Sequence, residues 1–155
     1  MADLSKVNWH GPQPAPKELA KMLKLNFPQI TQTGIYNDRN VAGTTKKSSH
    51  AEGRGLDIHL SAFVPEQRML ADQLYPVFIR KASQLGIDNV IWNKQIWSKT
   101  KGGPRLYTGQ NPHTDHIHIE FTREGSQQAQ RAIELDIAII RTGIEDMHKA
   151  MENIG

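Results

Sequence analysis

The chain has no cysteine. That excludes disulfide staples, thiolate metal sites and cysteine nucleophiles, and it leaves the redox compartment open. Nothing approaches the roughly 18 consecutive apolar residues of a membrane helix, so no membrane span is expected. The opening Met-Ala-Asp-Leu-Ser-Lys-Val-Asn-Trp has no apolar core of a secretory signal peptide, which implies synthesis in the cytoplasm as a soluble protein. Charge of one sign is also scarce: 19 basic and 16 acidic residues leave a net +3 and a pI near 9.2. No dense Lys/Arg stripe interleaved with aromatics occurs, so nucleic acid is not an expected partner; the mild basic bias suits an anionic polymer such as a cell wall. A second carboxylate-rich metal cluster is missing too, which argues against a metal-dependent phosphoesterase.

What remains is one domain of 155 residues, 37% hydrophobic, large enough to bury a core. Residues 1–15, with Pro12 and Pro14 and with Pro16 just beyond, read as an extended lead-in. Leu19, Met22, Leu23 and Leu25 suggest a short helix closed by Pro28, and Gly34-Ile35-Tyr36 a strand before a polar loop from Asn37 to Ser49. From Leu56 to Phe63 apolar and polar residues alternate, with Asp57, His59 and Ser61 on the polar side of a half-buried strand. Pro65 opens a helix whose stripe is Ala71, Leu74, Tyr75, Phe78, Ala82 and Leu85, stopped by Gly86. Val90-Ile91-Trp92 and Gln95-Ile96-Trp97 are two strands across an Asn93-Lys94 turn, and a Gly/Pro-rich loop from Lys101 to Pro112 leads to a strand over Asp115–Phe121. Ile133, Ile137, Ile140, Ile144, Met147 and Met151 predict a long amphipathic helix from Gln127 to about Met151. The order of elements implies an α+β domain with a small antiparallel sheet and flanking helices.

Two segments carry chemistry. The first is Ser48-Ser49-His50-Ala51-Glu52-Gly53-Arg54-Gly55-Leu56-Asp57, the second His113-Thr114-Asp115-His116-Ile117-His118; together they hold four of the seven histidines. Glycines at 53 and 55 allow a tight turn, so a loop histidine can meet the aspartate that begins the next strand. On a strand His116 and His118 share a face, while Ile117, Ile119 and Phe121 point to the core. Two imidazoles and a carboxylate suffice for a hydrolytic zinc with one open position. The bland alternative is a surface histidine with a capping aspartate, plus packed imidazoles that still need hydrogen-bond partners.

The pattern Ser-x-His-x-x-Gly-x-Gly-x-Asp followed by Asp-x-x-His resembles the zinc D-Ala-D-Ala carboxypeptidases and L-alanyl-D-glutamate endopeptidases, which share a fold with hedgehog and the lysostaphin-like enzymes. Val-Ile-Trp-Asn-Lys-Gln-Ile-Trp-Ser and Pro-His-Thr-Asp-His-Ile-His-Ile look like an extensin-like branch, and the resemblance covers about Ile35 to Phe121. It implies His50, Asp57 and His118 as zinc ligands and Asp115 as general base. His116 lines the site; lysostaphin-like relatives make the first histidine of His-x-His catalytic. The resemblance also makes Arg39 a cationic substrate clamp and Ser48 a substrate contact. The chain is expected to divide into a lead-in at 1–15, a zinc peptidase domain at 16–122 and, outside the resemblance, a C-terminal helix at 123–155, packed on the domain or offering a partner or dimer surface.

For other residues alternatives stay open. His113 orients substrate or caps its loop, and His59 sits behind the ligands or at the surface. Trp92 and Trp97 are core or cleft wall, with a saccharide platform as the rival reading, and Tyr107 borders the cleft or only its loop. Lys46 and Lys47 read as solvated, Arg54 as structural, and His10 and His148 as exposed. The expectation is a zinc peptidase acting on D-amino-acid-containing peptide stems of bacterial peptidoglycan, in the periplasm or cell wall, delivered by a phage-type or secretion-system route. The alternative is a catalytically silent, hedgehog-like zinc module that binds a ligand.

Overall fold

The protein is described by a computed structural model over residues 3–134. Six antiparallel strands form one sheet in the order β1-β2-β6-β3-β4-β5: β1 Thr33–Gly34, β2 Gly55–Ile58, β3 Ile87–Trp92, β4 Gln95–Ser98, β5 Gly102–Leu106 and β6 Ile117–Phe121. Helices α1 (Pro14–Asn26), α2 (Pro65–Arg80) and α3 (Ala82–Leu85) precede β3, and the short α4 (Arg123–Ser126) and α5 (Ala129–Glu134) follow β6. An α+β domain with an antiparallel sheet and flanking helices is therefore what the chain forms.

Alternation along the central strands decides the two faces. Leu56 and Ile58 of β2, Val90 and Trp92 of β3, and Ile117, Ile119 and Phe121 of β6 are buried in one core. Onto it α1 brings Ala15, Leu19 and Leu23 at steps of four, with Phe27 just past its end, and α2 brings Leu70, Ala71, Leu74 and Phe78. The Trp92 indole is a core group whose Nε1 donates to Asp72 Oδ1 at 2.9 Å. Asp57 and His118, out of phase with these residues, face the other way and stand directly opposite each other across β2 and β6, with Ile91 of β3 next in the row. That face, opposite the core, holds the candidate site.

Several local readings shift. Pro14 and Pro16 lie inside α1, where proline at the first turn costs no hydrogen bond. Leu25 is 76% exposed because it projects from the side of α1 opposite Leu23. The strand from Leu56 stops at Ile58: Ser61 N donates to Gln67 Oε1 and Phe63 N to Ser61 Oγ, which turns the chain into α2 and leaves Phe63 exposed. Asn93 and Lys94 both take positive φ, 47° and 68°, as a two-residue hairpin turn requires. Gly102–Leu106, expected as loop, pairs with β4 as an edge strand. Of the predicted C-terminal helix, Ala129–Glu134 is helical; the stretch from 135 to Met151 lies outside the described residues.

The lead-in is tied to the first motif. Gln13 Nε2 donates to the carbonyls of Asn8, Gly11 and Glu52, and Gln13 N donates to Gly53 O at 2.9 Å. Gly53 has φ 70°, and a Cβ there would collide with the Gly11 carbonyl. Gly53→Ala therefore combines left-handed strain with a backbone clash, and a loss of about 2 kcal/mol or more is expected in urea unfolding. A loss below about 0.5 kcal/mol would show that the lead-in gives way freely.

Candidate metal and proton-transfer site

The first ligand reaches the sheet on a short 3-10 turn, Ser49–Glu52, whose entry is capped by Ser48 Oγ accepting from His50 N at 3.0 Å. The turn is pinned to the segment after β1 by Asn37 N donating to His50 O at 3.0 Å. Gly55 lets the ring pass, because a Cβ there would stand 2.6 Å from Ser49 Oγ and 3.1 Å from two atoms of the His50 ring. The imidazole is buried, 3% exposed, and its Nδ1 lies 2.6 Å from the carbonyl of Ile35. A carbonyl only accepts, so Nδ1 carries the proton and Nε2 presents its lone pair.

That lone pair meets two others. His50 Nε2 is 3.1 Å from Asp57 Oδ1 and 3.3 Å from His118 Nδ1, and His118 Nδ1 is 3.0 Å from the same Asp57 oxygen. Three acceptors converging this way repel one another unless a proton or a cation sits among them. Burial opposes ionisation of Asp57, but the two neighbouring imidazoles, His118 and His50, outweigh it and hold the carboxyl far below the usual carboxylate range. A tetrahedral zinc with bonds of about 2.0–2.1 Å separates its ligand atoms by about 3.3 Å. The triad spacing fits one face of that tetrahedron, and these three residues form the metal-competent group among the described residues. The donor set suits a divalent metal ion, and the Ile35 carbonyl fixes the His50 ring as carbonyls and carboxylates do behind metal-bound histidines.

Beside the triad stands His116, 8% exposed, with Nε2 3.6 Å from Asp57 Oδ1. Its Nδ1 donates to Asp115 Oδ1 at 2.7 Å, so Nε2 is the bare nitrogen at the triad's edge. Asp115, expected as the base, is 78% exposed along its side chain and spends an oxygen on His116. That hydrogen bond holds its pKa below the ordinary value. His59 is exposed, its ring centroid 6.2 Å from that of His116.

His113 is a member of the site that its sequence context left undecided. It is 7% exposed, takes φ 55°, and donates Nδ1–H to Asn111 O at 2.7 Å. Its ring lies 4.6 Å from that of His116 and 5.1 Å from Tyr107, which meets it edge-on. Burial and the neighbouring imidazoles push its pKa down to about 4. The unfolded chain then binds a proton near pH 6.5 that the folded chain refuses until about pH 4, so stability is full above 6.5 and falls on acidification. A shift of that size is worth on the order of 3 kcal/mol. His113→Asn, which suits the left-handed backbone, should remove that share of the slope in urea unfolding of metal-free protein between pH 6.5 and 4.5. An unchanged slope would place the sensitivity elsewhere.

The site opens into a cleft of about 370 Å³ between the 39–50 and 107–113 loops, lined by Arg39, Lys46, Ser48, Asn89, Tyr107 and His118 among others. Arg39 is exposed on one wall and free to meet an anionic group. Ser48 lines the cleft too, although its oxygen already caps the His50 turn. Arg54 is structural: Nε binds Glu52 at 2.7 Å and an Nη atom binds the Phe121 carbonyl at 2.9 Å. Lys47 pairs with Asp38 at the surface, and Trp97 packs partly buried against the core.

The family described as "VldE, C-terminal domain" has a model that matches residues 8–118. That span exceeds half of the 155-residue chain and includes His50, Asp57, His113, Asp115, His116 and His118, and the chain belongs to this family. No curated protein and no solved structure matches it.

Proposed function

We propose that this member of the VldE C-terminal domain family is a zinc metallopeptidase that hydrolyses D-amino-acid-containing peptide stems of bacterial peptidoglycan. The reading rests on one observation: three buried or half-buried acceptors, from His50, Asp57 and His118, converge beside a bare imidazole nitrogen of His116. His50, Asp57 and His118 would hold the ion. When bound, zinc supplies an acidified water and polarises the scissile carbonyl.

The chain's own groups do the rest. His116 Nε2 takes the proton from the attacking water and returns it to the leaving amine, while Asp115 fixes the ring through Nδ1 and stabilises the imidazolium that forms. The family resemblance implied Asp115 as the base; the 2.7 Å bond favours Asp115 as the group that orients His116. Neutral His113 and Tyr107 wall the cleft, and Arg39 offers a guanidinium to a peptide carboxylate.

Mass spectrometry of purified muropeptides incubated with zinc-loaded wild type and His118→Ala tests this. Release of single D-alanine by wild type alone marks a carboxypeptidase, and separation of the stem from glycan-linked L-alanine marks an endopeptidase. Muropeptides left intact by a protein that holds one zinc would overturn the peptidase and favour the silent binding module.

A further inference from the structure

A second cleft, of about 390 Å³, opens among α2, α3, α4, α5 and the β3–β4 part of the sheet, lined by residues quite separate from the metal triad. Arg80, Lys99 and Arg131 line it, against one acid, Glu124. The three cations are exposed, and none makes an ion pair within 4 Å among the described residues; Asp88, outside the lining, acts on Lys99 only at longer range. Natural surfaces usually intersperse the two signs, so an unpaired cationic trio around a concavity focuses the field on an incoming anion.

Two further features narrow the anion's chemistry. Trp97 lines the cleft with its indole only partly buried against the core. An aromatic face of this kind packs on the apolar C–H side of a sugar ring. Gln128 lines it as well, and its Oε1 is buried without a hydrogen-bond partner. An orphaned acceptor needs a donor; a sugar hydroxyl supplies one and a fully ionised phosphate does not. We infer that this cleft binds an anionic saccharide, with Arg80, Lys99 and Arg131 on its carboxylates and Trp97 and Gln128 on a sugar ring.

The proposal does not depend on the metal site. Its test uses the whole chain, with fluorescein-labelled oligogalacturonate as probe and maltoheptaose and polyphosphate as competitors. Binding by fluorescence anisotropy should weaken about tenfold or more in the Arg80→Glu/Lys99→Glu variant. Lys17→Glu/Lys21→Glu changes net charge equally on the exposed side of α1 and should leave binding within about twofold. His118→Ala should bind like wild type, which separates this cleft from the peptidase reading. Oligogalacturonate should also outcompete polyphosphate of equal charge. No binding by wild type, equal losses in both double variants, or polyphosphate competing as well as the uronate would each overturn the inference, the last leaving a charge-only surface.

Discussion

Asp57→Asn should abolish metal binding and, with it, hydrolysis. The Asp57 oxygen is the point on which both imidazole nitrogens converge, at 3.1 Å and 3.0 Å. Its negative charge is the only formal charge the triad gives to a divalent ion; an asparagine keeps the shape and removes it. Polarising the scissile carbonyl is worth several kcal/mol, so turnover should fall by about three orders of magnitude. Zinc content after dialysis, read by plasma mass spectrometry, should fall from one per chain to none. Stability gives a readout independent of any substrate: an ion present at a thousand times its Kd adds about 4 kcal/mol. Chelation should therefore lower the wild-type melting temperature by roughly 10 °C while leaving Asp57→Asn unmoved. If wild type ignores the chelator, the three acceptors are held together by a proton on an imidazole, and the zinc reading fails.

How far this triad could be read from the residues depends on the kind of signal. Period-two alternation at Leu56-Asp57-Ile58 and Ile117-His118-Ile119 is a backbone property, and it set Asp57 and His118 on the face away from the core. Asn93-Lys94 likewise announced its turn because two positive φ angles favour few residues. The hidden parts depend on distant partners. Gly102-Gly103-Pro104 looks like a loop, and only pairing with β4 makes it a strand. Nothing local in Ser61 shows that Gln67 will receive its N–H and end β2 early. His113 was ambiguous because its burial comes from Tyr107, His116 and the Asn111 carbonyl closing around it in three dimensions. Ser48 offered an oxygen near the site, but the cap it makes on His50 N appears only once the 3-10 turn forms.

The division of labour between Asp115 and His116 follows from the same geometry and has its own signature. His116→Ala removes the nitrogen that stands 3.6 Å from Asp57 Oδ1, yet leaves all three ligand atoms in place. Zinc content should stay at one per chain while kcat falls by about 10²–10⁴, the range of a positioned acid–base group. Asp115→Asn keeps His116 in the site but replaces a charged acceptor with an amide that stabilises the imidazolium less. Its kcat should fall less, roughly tenfold. KM should barely change in either variant, since neither side chain is asked to bind ground-state substrate. The opposite ranking, with Asp115→Asn nearly inactive and His116→Ala mildly impaired, would return the base to Asp115. The exposed carboxylate would then have to swing away from His116 and into the cleft before it could reach the water.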